Sequence, residues 1–238
     1  MKSLLKFPLL VAVATMMTCS FSACSDNDDP TPDTGTSETD AKFEAIAKQY
    51  LDHTVYVTYK NLADETEQLV KDLQALKSSK TDANVKATCE TFLEARAWWE
   101  KSEAFLYGAA TDFGIDPHID SWPLDLDGLQ TALKNTEQVE AMGGEDGDIY
   151  AGEKLGNSLL GFHGIEYILF EDGSPKSVSK ISDLHLTYAV AVAGDLRNRC
   201  WQLELSWRGE SAVNADRVAK VANELEPVSY THLRAHET

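Results

Sequence analysis

Gly161–Tyr167 reads GFHGIEY, and the apolar run that it begins continues through Phe170. On a helix, residues three apart project about 60° from each other, so His163 and Glu166 lie on one face. An imidazole and a carboxylate directed at the same point are donors for a cation. Because two donors do not complete a metal site, the pattern also fits a core histidine with a solvated glutamate at its edge.

Apolar residues recur at three- and four-residue steps along most of the remaining chain, which indicates helices. We predict helices over residues 41–76, 82–107, 126–136, 151–170, 179–206 and 212–225, with Gly108 as the C-cap of the second. Residues 109–126 contain Gly114, Pro117 and Pro123 and are predicted to form a long irregular connection. Since no segment alternates convincingly as a strand, we expect an all-α helical bundle.

The composition is that of a globular, strongly acidic protein. The chain has 238 residues, of which 43% are hydrophobic, enough for one or two domains with a real core. Its formal net charge of −18 repels nucleic acid and anionic membranes and concentrates cations near the surface. We therefore expect no nucleic-acid partner, and the charge gives weak support for a cation ligand.

The N-terminus has the features of a targeting segment. Lys2 and Lys6 precede a short apolar stretch that ends in the sequence FSAC at residues 21–24. Residues 1–23 are predicted to be a lipoprotein signal peptide with Cys24 as the acylated residue, and an ordinary signal peptide cut near Ala23 is the alternative. A lipid on Cys24 would anchor the chain to the outer membrane of the cell envelope, on its periplasmic or its external face. The acidic residues 24–40 are predicted to be a disordered tether.

Residues 228–238 resemble translated sequencing-adapter sequence, so we predict that they are a non-native tail and that 41–227 is the folded domain. Within that domain Cys89 and Cys200 both lie in helical, apolar segments. They could pair in an oxidising compartment, and buried free thiols are an equally good expectation.

Two further polar clusters share the character of the first segment. Arg96 and Glu103 are seven residues apart, so two helical turns place them on one face near Ser102. A solvated ion pair would have the same spacing. Asp120 belongs to the sequence IDSWPLD at residues 119–125, where acids surround a rigid Trp-Pro corner.

Taken together, these residues resemble the imelysin family, peptidase family M75. Its G-x-H-x-x-E motif is matched by Gly161, His163 and Glu166, and the Trp- and Glu-bearing helix and the Asp-Ser-Trp-Pro segment precede it in the same order. The resemblance covers residues 41–225, and the acidic residues 25–29 directly after Cys24 resemble the surface-export signal of some Bacteroidetes lipoproteins. The resemblance to the imelysin family implies two related helical bundles, the first present here and the second incomplete, so that the domain is C-terminally truncated.

The resemblance also implies roles for particular residues. His163 and Glu166 would be metal ligands, Glu103 and Asp120 would complete the set, and Arg96 and Ser102 would support the ligands. The expected function is an envelope-anchored lipoprotein that binds a metal ion, with iron favoured and zinc possible, and that serves iron uptake together with iron-uptake partner proteins.

Two other functions stay open from the sequence. An M75-type metallopeptidase would need a third ligand, a bound water and a general base, and Gly164 stands where the usual helix signature has the base. A surface protein that binds haem or a peptide would use His163 and the Trp-rich helix. Trp98 and Trp99 in that helix fit core positions as well.

Overall fold

The computed structural model describes residues 38–221, and most of them are helical. The chain divides into two compact units, Met1–Glu44 and Ala45–Thr238. Of the first unit, residues 38–44 are described and are helical, and residues 45–221 of the second unit form a bundle. The predicted all-α class is confirmed.

The helices are numbered here in chain order. They are α1 Glu38–Tyr50, α2 Tyr56–Ser78, α3 Asp82–Ser102, α4 Ala109–Asp112, α5 Asp116–Asp120, α6 Leu126–Lys134, α7 Thr136–Ala141, α8 Gly147–Lys154, α9 Gly161–Leu169, α10 Asp183–Arg208 and α11 Ala215–Val221. A π-helical turn, Leu51–Val55, joins α1 to α2 without a break. Short 3-10 turns lie at Glu103–Phe105, Asn157–Leu159, Val178–Lys180 and Glu210–Ala212.

Three long helices, α2, α3 and α10, build the core. The helix α2 presents a fully buried apolar stripe that includes Leu62, Leu69, Leu73 and Leu76, as its three- and four-residue spacing predicts. The helix α10 packs against α2, α8 and α9, and most of its residues are buried, polar ones included. A helix that is covered on nearly all sides lies at the centre of the bundle.

Side-chain caps fix where two of these long helices begin. The hydroxyl of Thr81 accepts a hydrogen bond from the backbone N–H of Asn84 at 3.1 Å, so α3 begins at Asp82, as predicted. Ser182 and His185 form a reciprocal capping box at the start of α10. This cap makes α10 begin at Asp183 rather than at the predicted residue 179.

The single helix predicted over residues 151–170 is wrong. The structure has two helices there, α8 and α9, and a non-helical connection that includes the turn Asn157–Leu159. The break lies directly before the motif, where Gly161 has a φ of 65°. A β-carbon at Gly161 would lie 2.1 Å from the carbonyl oxygen of Ile119, so the glycine lets α5 approach the start of α9.

The connection predicted to be irregular is partly helical, and the helices on either side of it end earlier than predicted. The predicted irregular connection contains α4 and α5, and the helix predicted over 126–136 ends at Lys134, where Asn135 caps a further helix, α7. The helix α3 ends at Ser102, so Glu103 lies in a 3-10 turn. Gly108, predicted as a C-cap, precedes α4 with a φ of 72°.

A small hairpin follows the motif helix. Phe170–Glu171 pairs antiparallel with Ser174–Pro175, and Asp172 and Gly173 connect them with φ values of 50° and 73°. Asp-Gly with positive φ at both residues is a typical two-residue hairpin turn. The sequence analysis predicted no strand, so this hairpin was missed.

Of the predicted domain boundaries, only the one between the tether and the folded domain, at residues 40 and 41, lies within the described residues. The helix α1 begins at Glu38, inside the segment predicted as a tether. The signal peptide, the acylated Cys24 and the tail at residues 228–238 all lie outside residues 38–221. Between Glu38 and Val221, no helix has both the length and the apolar content needed to cross a bilayer.

The two cysteines of the bundle are free and buried. Cys89 lies in α3, and burial raises the pKa of its thiol to about 12. Burial also raises the pKa of Cys200, in the middle of α10. The sequence left a disulfide and free thiols open, and the structure has free thiols.

Candidate metal centre

The helices bring the predicted site residues to one end of α3. Arg96 lies in the last two turns of α3, Glu103 directly follows that helix, and Asp120 ends α5. The motif residues His163 and Glu166 lie in α9. Residues up to 70 positions apart in the sequence therefore lie close together here. Local sequence patterns do not predict such long-range contacts.

His163 lies between two carboxylates. Its Nε2 is 3.0 Å from Oδ1 of Asp120, and its Nδ1 is 3.2 Å from Oε2 of Glu166. The hydrogen bond to Asp120 is the main reason that the pKa of His163 is raised, and it outweighs the opposing effect of burial. Trp122, which is 74% exposed, lies beside the imidazole with 4.8 Å between ring centroids.

Asp120 is the centre of the arrangement. Besides its contact with His163, it accepts a hydrogen bond from Arg96 and one of 2.8 Å from Nε1 of Trp99. Burial alone would raise the pKa of Asp120, but the hydrogen bonds from His163, Arg96 and Trp99 together hold it below its usual range. The side chain is therefore a carboxylate at neutral pH, as a metal ligand must be.

Arg96 connects Asp120 to an acid that the sequence analysis missed. Its guanidinium is 2.6 Å from Oε1 of Glu100, one turn further along α3, and it lies over the ring of Phe162 at 5.3 Å. The i, i+4 spacing of Arg96 and Glu100 is a usable signal for such a pair.

Three carboxylates converge at this point. One oxygen each of Glu100, Glu103 and Asp120 can be chosen so that all lie within 4.8 Å of one another. Two oxygens bound to one transition-metal ion at about 2.0–2.2 Å are at most about 4.4 Å apart. Glu100 and Glu103 are exposed side chains, so a movement of a few tenths of an ångström would bring the set into coordinating distance.

We call Glu100, Glu103, Asp120, Glu166, Arg96 and His163 the His163 cluster. It holds four carboxylates, and within residues 38–221 the cationic partners found at ion-pairing distance from them are Arg96 and, when protonated, His163. The cluster thus has two to three more negative than positive charges. A deficit of this kind is relieved by a bound cation.

Ser102, the remaining predicted residue, lies in the core beside the cluster. It is fully buried, and its hydroxyl donates a hydrogen bond of 2.7 Å to the carbonyl of Trp99 in the same helix. Its neighbour across the core is Tyr59 of α2. Ser102 therefore supports the end of α3 through its own helix.

The fold and this cluster define an all-helical protein with a histidine and several carboxylates at the junction of three helices. The sequence model of the imelysin family, peptidase family M75, matches residues 55–231. The chain belongs to the imelysin family. The match runs into the segment that the sequence analysis set aside as a non-native tail.

Proteins similar to this chain include iron-regulated protein A of Synechococcus elongatus, which is 31% identical over 163 residues. That alignment covers 68% of this chain and 40% of the relative. A crystal structure described as an iron-regulated protein A precursor from Parabacteroides distasonis has a TM-score of 0.63 at 26% identity, with 82% of this chain and 55% of that chain covered. This chain thus spans roughly half or less of the length of these relatives.

Two further solved structures have the same fold. An imelysin peptidase from Bacteroides ovatus is 33% identical, with a TM-score of 0.50 over 58% of this chain and 39% of that chain. An imelysin-like protein from Psychrobacter arcticum is 14% identical, with a TM-score of 0.57 over 75% of this chain and 52% of that chain, and it supports the fold alone.

Proposed function

We propose that this chain is a cell-envelope lipoprotein of the imelysin family that binds a metal ion in the His163 cluster and serves iron uptake. The observation that carries the proposal is the convergence of Glu100, Glu103 and Asp120, with Asp120 bonded to His163. A deficit of positive charge at the junction of separate helices is the environment that a cation stabilises.

The donor set fits a hard or borderline metal ion. Glu100, Glu103, Asp120 and Glu166 offer oxygen donors, and His163 offers one nitrogen when a ring nitrogen is released from its carboxylate partner. Carboxylate-rich sites with one imidazole suit iron and manganese, and zinc binds such sites as well. The names of two relatives, each an iron-regulated protein A, support iron as the ion that matters here.

Protons compete with the ion for His163. In the metal-free protein a proton on the imidazole satisfies Asp120 and Glu166 at once, which is why the pKa of His163 is raised. A ligand histidine must be neutral, so affinity for the ion should fall as pH decreases through that raised pKa.

The membrane anchor is part of the same proposal. Acylation of Cys24 would hold the protein at the outer membrane, where partner proteins of iron uptake would receive or deliver the ion. Labelling of cells with radioactive palmitate tests it. Label should appear in the wild-type protein and be lost in Cys24→Ala, and label retained by the variant contradicts the anchor.

Peptidase and haem chemistry have less support from the geometry. A metallopeptidase needs a carboxylate as general base in addition to its metal ligands. Glu166 lies against Nδ1 of His163, and the exposed Glu100 and Glu103 are already counted as donors for the ion. Haem ligation needs a free imidazole nitrogen and an open ring edge. Trp122 lies beside the ring of His163, with 4.8 Å between the ring centroids, where a porphyrin would have to fit.

Calorimetric titration of the full chain with ferrous iron, without oxygen, tests the proposal. The wild type should bind one ion, and His163→Ala and Glu166→Ala should weaken binding at least about tenfold. Asp64→Asn is the matched control, because Asp64 is an ion-paired carboxylate on α2 that is not part of the His163 cluster. If His163→Ala binds ferrous iron as tightly as the wild type and Asp64→Asn, the cluster is not the metal site.

A further inference from the structure

The helix α5 is five residues long. Its last three residues, His118, Ile119 and Asp120, each contact a different part of the bundle. Asp120 contacts His163 of α9, and the carbonyl oxygen of Ile119 lies against Gly161. Nδ1 of His118 is 3.3 Å from Oδ2 of Asp195, in the middle of α10. Since two residues turn a helix by about 200°, His118 and Asp120 project to opposite sides of α5.

Asp195 is a buried carboxylate, with 2% of its surface exposed. Its other partner is Arg199, whose Nε is 3.3 Å from Oδ1. On α8, a β-carbon at Gly152 would lie 2.3 Å from the same oxygen, so the glycine makes room for the carboxylate. A buried charge with partners at such distances is weak evidence for a stabilising role, because its loss of hydration offsets the attraction.

We infer that Asp195 is a positioning residue for the His163 cluster, acting through His118. The carboxylate in the bundle centre holds one side of α5, and this contact sets how closely Asp120, on the other side, approaches His163 and Arg96. The inference deepens the proposed function and rests on it, since the position of Asp120 matters for affinity when the cluster binds an ion.

In many metal sites a second residue hydrogen-bonds to a ligand and orients it directly. Here Asp195 does not contact the ligand Asp120 but contacts His118, two residues before it. Partners that orient a ligand directly typically change metal affinity 10- to 100-fold when they are removed. Asp195 orients His118, and the backbone of α5 carries the effect over two residues to Asp120. We expect a change near the lower limit, about tenfold.

Ferrous-iron calorimetry on variants of the full chain tests the inference. Asp195→Ala should weaken binding about tenfold, and Asp195→Asn, which keeps an acceptor for His118, should recover most of that loss. Glu204→Ala is the matched control: Glu204 is equally buried, lies on the same helix and pairs with arginines, but belongs to a different set of contacts. It should leave iron affinity within about twofold of the wild type.

Two results would overturn the inference. One is equal weakening by Asp195→Ala and Glu204→Ala, since that would mean that lost stability alone changes the site. The other is equal weakening by Asp195→Asn and Asp195→Ala, since charge rather than the contact would then be responsible. If Asp195→Ala does not fold, His118→Leu removes the same contact from the partly exposed side and is expected to give the same tenfold loss.

A nuclear magnetic resonance experiment separates failure of this inference from failure of the proposed function. The ring N–H proton of His163, assigned with His163→Gln, reports the 3.0 Å contact with Asp120 in the metal-free protein. It should shift or broaden in Asp195→Ala and His118→Leu but not in Glu204→Ala. A wild type that binds no iron sinks the metal proposal, and an unchanged resonance in both α5-contact variants sinks the positioning role.

Discussion

The His163 cluster and a second cluster around Arg217 both gather carboxylates from separate helices, but they balance the charge differently. Arg217 on α11 contacts Asp64 and Glu67 of α2 and Glu204 of α10. Each of these acids also has a cation of its own, and these are Lys60, Lys71 and Arg208, respectively. We call these seven residues the Arg217 cluster.

In the Arg217 cluster the negative charges are fully compensated, because four cations contact three carboxylates. The His163 cluster has four carboxylates and only one arginine and one histidine. The first needs nothing further and joins α11 to the core. The second keeps an excess of negative charge, which is the basis for the proposed cation. The number of acidic residues therefore does not distinguish the two clusters, whereas their balance of charge does.

The two clusters also differ in the contacts that hold them in place. We expect the largest effect from a substitution in the close backbone packing of α5 against α9, beside the His163 cluster. Gly161→Ala would place a β-carbon 2.1 Å from the carbonyl oxygen of Ile119 and force a non-glycine residue to a φ of 65°. We expect a loss of at least about 3 kcal/mol in the free energy of unfolding. Urea denaturation followed by circular dichroism measures it.

Gly156→Ala is the control for that variant. Gly156 has a φ of −70° and no atom within 4 Å of a built β-carbon. The substitution should be neutral or stabilise the protein by up to about 1 kcal/mol. Similar losses in the two variants would mean that the close approach of α5 to α9 does not matter.

The Arg217 cluster should depend on charge instead. Arg217→Ala leaves the buried carboxylate of Glu204 with one cation fewer, and we expect a loss of about 3 kcal/mol, measured by the same urea titration. Lys60→Ala removes a cation whose side chain is 51% exposed and should cost about 0.5 kcal/mol or less. Equal losses would remove the distinction between the buried and the exposed members of the cluster.

An added cation should stabilise the protein through the His163 cluster alone. Manganese is a suitable air-stable probe, and at a hundredfold excess over Kd it should contribute about 2.7 kcal/mol. For a domain of this size the Tm would rise by roughly 5–10 °C in a thermal melt. The rise should be lost in Asp120→Asn and kept in Glu67→Gln, and the same rise in both variants would locate the ion elsewhere.

The smallest expected effect is the pH dependence of the metal-free protein. The pKa of His163 is raised from its ordinary value of 6.5, mainly by Asp120, so the folded state binds the proton more tightly than the unfolded state. The stabilisation is fully present below about pH 6.5 and is lost as pH rises through the raised value.

The measurement compares unfolding free energies of wild type and His163→Gln from pH 6 to pH 9 with a chelator present. The difference between them should shrink as pH rises. Subtraction of the variant removes the effect of His185, whose pKa is lowered by burial and acts in the opposite direction. A difference that grows with pH contradicts the assigned contact between His163 and Asp120.

Much of this was accessible from the sequence, because periodic apolar positions define long helices and the motif defines the face of α9. The N-cap at Thr81 and the apolar stripe of α2 both follow from residue type and from three- and four-residue spacing. The break before Gly161 did not follow, since apolar residues continue across it. It is set by the tertiary contact with Ile119.

The sequence predicted most residues of the site but not which of them contact each other. His163 and Glu166 share a helix, so spacing alone brings them together. Asp120 comes from a five-residue helix in a segment rich in glycine and proline, and its partners lie on α3 and α9. The role of Asp195 was out of reach, since an aspartate in the middle of a long helix has the same appearance whether it faces water or α5.

Cys89 and Cys200 carry a practical consequence. Both thiols are buried in the core and have raised pKa values, so in the folded bundle they react poorly with alkylating reagents and do not form a disulfide with each other. Modification of either must wait until the helices separate. The rate of alkylation at these two positions therefore counts opening events of α3 and α10, and the protein carries its own reporter of transient unfolding.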